Sequence, residues 1–416
     1  MIRRSAAVVC TVLLLAAVLV VPASEAKIRA YGSLGAQAYG YEDYNCDNHL
    51  WLMQTTRLNL QQVDGPWSLH LSGGYLGDDA DDFSKSGRDR LTRAYLEYGG
   101  IAQPTRVRAG RFFLARGVAL GTLDGVEATH TFSSKIKATV YAGMMGPLTR
   151  KFEVEDPDQA VSFGGEVQVI QGRDCMIADH GMMAFSYTHQ TRNERVYRHR
   201  IGWQSRFRWG RSLTLFNTVQ VRPMGSVLRK IVSRARYNTA DWFAMLELGG
   251  ITPDVDDESY FTDLNSGMGR VRASVNRWIE RRKWGGGLEF QTLIVPEGMG
   301  FRGGPIVYTP VGELGYRFGG GDRSVTSGPW VNLRYDPVDG LRLYAYGSYT
   351  TYEWEQFDIE QEEYAAARIG ARWRLPFYEN LEVNGEYQVY QTARLTEDKR
   401  ALGGLRWTFD TRGGAR

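Results

Sequence analysis

From about residue 28 onward, apolar and polar side chains alternate with a period of two. In residues 67–77, Trp67, Leu69, Leu71 and Tyr75 share one face, and Ser68, His70, Ser72 and Gly74 share the other. In residues 196–209, Tyr197, Ile201, Trp203, Phe207 and Trp209 oppose Arg198, Arg200, Gln204, Arg206 and Arg208. In residues 381–391, Leu381, Val383, Tyr387 and Val389 oppose Glu382, Asn384, Glu386 and Gln388. Successive side chains of an extended chain point to opposite sides, so this pattern predicts strands with one greasy and one polar face. Segments of about ten residues or more are long enough to cross a bilayer when tilted.

The connections alternate as well. Residues 63–66, 132–135, 209–212, 238–241, 336–340 and 376–380 read as short turns, rich in Asn, Asp, Gly and Pro. Residues 77–90, 146–159, 251–267 and 353–362 read as long polar loops. Transmembrane barrels pair short periplasmic turns with longer outer loops. Counts from the two termini put the short turns at one end but fail to meet between about residues 250 and 330, giving an odd tally of about 21 strands. The glycine-rich residues 298–304 and 319–321 blur the boundaries there. An even number is the rule for bacterial single-chain barrels. The expectation is an all-β, single closed antiparallel transmembrane β-barrel of about 18–20 strands, within a range of 16–22.

The N-terminus adds an address. Arg3 and Arg4 precede an apolar run from Ala6 to Val21, broken by Pro22 and followed by Ser24, Glu25 and Ala26. This predicts a cleaved signal peptide over residues 1–26 and a barrel domain over 27–416. Cys10 lies inside the apolar run, so lipidation is not expected. Cys46 and Cys175 remain, and the sequence leaves open whether they pair. No other apolar stretch reaches the roughly eighteen residues of a spanning helix, so a membrane-embedded form has to be a barrel. The 23 Tyr, 17 Phe, 11 Trp and 48 Gly suit strands and turns. A net charge of +3, from 50 basic and 47 acidic residues, gives no reason to expect a nucleic-acid partner.

Arginine recurs opposite the greasy face. The candidates are Arg106 and Arg108; Arg198, Arg200, Arg206 and Arg208; Arg234 and Arg236; Arg270 and Arg272; and Arg368, Arg372 and Arg374. A charge facing lipid near the midplane costs about 2–4 kcal/mol, so these side chains are expected in the lumen. Glu166, Glu247, Glu289, Glu313, Glu382 and Glu386 alternate in the same way. The arginines either form an anion-attracting stripe or brace the wall by pairing with the glutamates. The near-balance of total charge favours bracing. Asp78, Asp79, Asp81 and Asp82, and Asp254, Asp256, Asp257 and Glu258, read as solvated loop charge, because their spacing does not match a calcium loop. No HExxH, GxSxG or CxxCH occurs, so neither catalysis, a metal site nor a cofactor is expected. His189 and His199 flank one predicted hairpin and are expected to face one another near a rim.

Residues 401–409, ALGGLRWTF, place Gly404 before Trp407 and Phe409. This resembles the C-terminal glycine-x-x-aromatic-x-aromatic signal read by the outer-membrane assembly machinery. It departs from that signal in carrying Leu402 at a polar position and in continuing to Arg416. Residues 107–128 read as a strand ending in Gly-Arg-aromatic, a loop, and Asp-Gly-Val opening the next strand, which resembles general and anion-type porins. The resemblance spans about twenty residues. It implies a passive outer-membrane channel of Gram-negative bacteria, embedded in outer-membrane lipid, and carries over no defined substrate; passage of small hydrophilic solutes is the expectation, with a mild anion preference from the lumenal arginines. Porins often trimerise, which leaves a homotrimer open. The alternative is a barrel sheath around a periplasmic partner protein such as a multihaem cytochrome.

Overall fold

The computed structural model describes residues 28–42, 48–78, 88–100, 103–146, 160–172, 178–192, 195–223, 227–252, 267–279, 283–296, 298–321, 325–354, 359–391 and 397–411. They form 22 strands and no helix long and apolar enough to cross a membrane. The strands are β1 (Ile28–Glu42), β2 (Asn48–Gln62), β3 (Trp67–Asp78), β4 (Arg88–Tyr98), β5 (Thr105–Arg116), β6 (Ala119–Thr131), β7 (Ile136–Met145), β8 (Val161–Gln171), β9 (His180–Arg192), β10 (Arg195–Trp209) and β11 (Leu213–Arg222). They continue as β12 (Val227–Asn238), β13 (Trp242–Ile251), β14 (Met268–Ile279), β15 (Trp284–Val295), β16 (Gly298–Thr309), β17 (Gly312–Gly321), β18 (Val325–Val338), β19 (Leu341–Trp354), β20 (Ile359–Arg374), β21 (Leu381–Gln391) and β22 (Asp398–Asp410).

Each strand pairs antiparallel with its sequence neighbours, and β1 pairs with β22, so the sheet closes without an edge. Closure matters because lipid offers no partner for an open strand's backbone groups. The seam runs from Tyr31↔Asp410 to Tyr41↔Arg400. Arg29 and Asp410 pair across its lower end, and Thr411 Oγ1 accepts from Ala30 N at 3.0 Å. Gly404, Trp407 and Phe409 of the C-terminal pattern therefore lie on the strand that shuts the barrel.

The ladder registers fix which residues share a face. Leu288, Val307, Leu314, Ile369 and Leu405 stand exposed on one face, the greasy exterior. Near the short-turn end this face carries Trp67, Tyr98, Tyr237, Trp242, Trp284, Trp373 and Trp407, an aromatic girdle of the kind that sits at a membrane interface. Trp67 and Tyr98 touch edge to face at 4.9 Å. Such a wall spans a membrane, with the opposite face lining a lumen. With strands about 4.8 Å apart and tilted about 40°, 22 strands enclose a backbone diameter of roughly 40 Å.

The strand number lies at the top of the expected range and above the 18–20 at its centre. The two counts failed to meet because residues 296–297, 310–311 and 322–324 are all short, so turn length no longer marks the end of the barrel. Residues 298–304 and 319–321 are strand, but a glycine contributes to neither face and so breaks the visible alternation. The expected loop over 353–362 also shrinks, because β19 runs to Trp354 and β20 starts at Ile359. Residues 1–26, Cys46, Cys175 and Asp79, Asp81, Asp82, Asp254, Asp256, Asp257 and Glu258 lie outside the described residues.

Candidate functional site: the lumen and an inward-folded hairpin

The hairpin β5–β6 departs from the wall. β5 pairs with β4 only from Val107 to Arg111, while β5 and β6 stay paired to Arg116↔Ala119. β6 leaves β7 beyond Leu123↔Met145, where Gly146 N donates to Thr122 O at 2.8 Å. Gly110, at φ +122°, supplies a backbone conformation that a side chain would strain at the point where β5 turns away. Arg111 closes the fork. Its Nε and Nη2 donate to Asp124 at 2.6 and 2.7 Å, and its Nη1 donates to Leu91 O on β4 at 3.3 Å.

Thr129, Thr139, Glu166, Ser186 and Gly202 form one row of inward positions across β6, β7, β8, β9 and β10. The hairpin tip lands on this row. Val118 N donates to Ser186 Oγ at 3.2 Å, and Gly117 and Val118 are packed against Ser186 and Gly202 so tightly that neither glycine has room for a Cβ. The tip thus crosses the inner wall of β7–β9 inside the lumen. Phe112, Leu114, Ala119, Leu123 and Tyr141 form a dry cluster under it, each worth about 1–3 kcal/mol of apolar burial for the large side chains. Phe113 and Leu120, on the opposite face of the hairpin, are left exposed. The expectation of a strand ending at Gly110, Arg111 and Phe112 followed by a loop is corrected: the strand continues to Arg116, and that motif marks where it leaves the wall.

Charge is anchored beside the tip. Glu127 is 1% exposed and binds Arg108 at 2.5 Å and Arg116 at 2.9 Å. The Arg108 guanidinium also lies over the Phe112 ring at 4.7 Å. Glu166 is buried on the same row and accepts from Gln168 Nε2 at 2.6 Å. Elsewhere the wall is braced more loosely. Glu247 receives Arg234 Nε at 2.6 Å and also pairs with Arg270. Arg372 lies 3.5 Å from Glu382, and Arg368 lies 4.0 Å from Glu386.

The registers place Arg106, Arg108, Arg198, Arg200, Arg206, Arg208, Arg234, Arg236, Arg270, Arg272, Arg368 and Arg372 on the inner face, with Glu166, Glu289, Glu382 and Glu386. Arg206 stacks on Phe216 at 5.2 Å and Arg236 on Phe243 at 5.4 Å. Among the described residues no carboxylate pairs with Arg106, Arg206, Arg208, Arg236 or Arg272. Among the described residues, arginines outnumber carboxylates on this face, although the whole chain carries only +3. His189 and His199 do face one another, at 5.5 Å, on the outer face beside Phe163 and Tyr187.

Sequence reasoning missed Arg116, Glu127 and the Arg111–Asp124 clasp. The available signal was the doubled glycine pattern around Arg111 and Asp124, in residues whose polar side chains fall on the greasy-face parity.

No family model matches the chain, and no curated protein matches it in sequence. Solved structures match its fold. OpdQ of Pseudomonas aeruginosa superposes with a TM-score of 0.50 at 9% identity, over 92% of this chain and 99% of that one. The translocation pore of the P pilus usher PapC superposes with a TM-score of 0.53 at 8% identity, over 91% and 99%. The chain shares with both the fold of a single closed β-barrel.

Proposed function

We propose that this barrel is a passive outer-membrane channel for small hydrophilic solutes with a preference for anions. The carrying observation is the segregation of charge: unpaired arginines line the lumen, while much of the acidic charge lies in the connections. Fixed positive charge in a pore raises the local anion concentration and lowers that of cations. The hairpin tip narrows one side of the lumen and holds its own charges in ion pairs, so the unpaired arginines of the remaining wall set the preference. Solutes would pass by diffusion, with no chemical step. Single-channel recording of the purified barrel in a planar bilayer tests this, with steady open-state conductance expected.

The width of the lumen favours a second reading. A hairpin lying flat against one side leaves most of a roughly 40 Å ring uncovered. A sheath around a periplasmic partner protein would use that width, as a translocation pore such as that of the P pilus usher would. Such a barrel would carry its partner through purification, and its conductance would fall when the partner is present. A homotrimer and recognition of the C-terminal strand by the assembly machinery are further proposals. They are checked by native mass and by the insertion rate of Phe409→Ala.

A further inference from the structure

The glycine-rich stretch that blurs the strand boundaries also shapes the inner wall. Across β14–β18 the inward positions fall into rows. One row runs Arg272, Gln291, Arg302, Gly319, and the next runs Glu289, Gly304, Arg317, Gly328. A third carries Gly287, Ile306, Gly315 and Trp330. Where glycine faces inward no side chain fills the wall, and a recess of about 340 Å³ opens near mid-height. Its floor includes Gly304, and a Cβ added at Gly315 would sit 2.7 Å from the Trp330 ring. Trp330 can lie flat there because Gly315 has nothing to raise it.

The rim is chemically incomplete. Glu289 and Arg317 share a row but stand on strands two apart, about 9–10 Å, with bare Gly304 between them. Neither has an ion-pair partner among the described residues, and the same holds for Arg272. Among the described residues Arg302 donates to Gln291 alone, at 3.2 Å. Three guanidiniums against one carboxylate favour a dianionic oxoanion, for which the planar fork of arginine is suited. Trp330 offers a face for a ring. Glu289 and Gln291 offer acceptors for hydroxyl or amino donors on that ring.

We infer that the recess on β14–β18 is a binding subsite for a ring-bearing phosphate monoester, such as a sugar phosphate or a nucleoside monophosphate. The phosphate would sit among Arg272, Arg302 and Arg317, the ring on Trp330, and ring donors on Glu289. The inference rests on the channel reading for how the ligand arrives, but binding itself does not require conduction.

The test is calorimetric titration of the detergent-purified barrel with AMP, glucose 6-phosphate, inorganic phosphate and adenosine, beside its KCl conductance in bilayers. AMP and glucose 6-phosphate are expected to bind about tenfold or more tightly than inorganic phosphate, since stacking and donor contacts add to the charge. Arg317→Gln should weaken all three phosphates by about tenfold. Trp330→Ala should remove the advantage of AMP over inorganic phosphate while leaving inorganic phosphate unchanged. Both variants face the lumen, and retained heat-modifiable migration on gels confirms their folding. Equal binding of AMP and inorganic phosphate overturns the inference, as does undiminished AMP binding by both variants. AMP binding by a barrel that passes no current supports the subsite and removes the channel. A conducting barrel that ignores AMP removes the subsite and leaves the channel.

Discussion

Two stretches of one wall have opposite interiors. Around the tip, across β5–β9, the inner face is covered by its own hairpin, and charge there is enclosed: Glu127 is shared by Arg108 and Arg116, and Arg111 clasps Asp124. Across β14–β18 the inner face is open, its inward positions include several glycines beside Arg272, Arg302 and Arg317, and Arg272 and Arg317 keep their charge for the lumen. The same residue type therefore braces the fold in one place and equips the channel in the other. The difference comes from cover. A carboxylate taken out of water has to be paired, whereas a lumen-facing arginine is already hydrated.

The contrast is sharpest for one carboxylate in each region. Glu127→Gln strands two enclosed guanidiniums and should lower barrel stability by about 3 kcal/mol. Glu289→Gln, on the open wall, should change stability by no more than about 0.5 kcal/mol. Urea midpoints of the barrel in detergent micelles compare the two, and equal shifts would erase the distinction. The next effect is local. Gly117→Val collides with Ser186 in a backbone conformation that side chains rarely adopt, at about 1–3 kcal/mol. The tip should lift, single-channel conductance should rise, and a Ser186→Cys probe in a cysteine-free background should change from protected to labelled by a lumenal maleimide.

Selectivity separates the regions a third way. Arg208→Gln and Arg272→Gln together should reduce anion preference with stability unchanged to about 0.5 kcal/mol. Arg108→Gln should do the reverse, destabilising the barrel and leaving selectivity nearly intact. The smallest effect belongs to the seam. Arg29→Gln breaks a solvent-exposed pair with Asp410 that the β1–β22 ladder makes redundant, and the urea midpoint should not move measurably.

Period-two alternation sufficed to read the closed barrel and its greasy exterior, because register and hydrophobic pattern are one constraint in a closed sheet. It could not count strands where glycines occupy the pattern, as in β15–β17, since a residue without a side chain shows no preference of face. It could not see the hairpin leave the wall. Phe113 and Leu120 keep the parity of lipid-facing residues although their hairpin lies inside the lumen. Nor could total charge report the lumen. Its near-neutrality favoured bracing over a stripe, whereas among the described residues Arg108 is ion-paired and Arg272 is not.

The most direct measurement is the reversal potential of the purified barrel in a planar bilayer under a KCl gradient. The account predicts open-state current and a reversal potential displaced toward the chloride equilibrium value, with the displacement reduced in the Arg208→Gln, Arg272→Gln double variant. A reversal potential displaced toward the potassium value, or a barrel that carries no current, contradicts it.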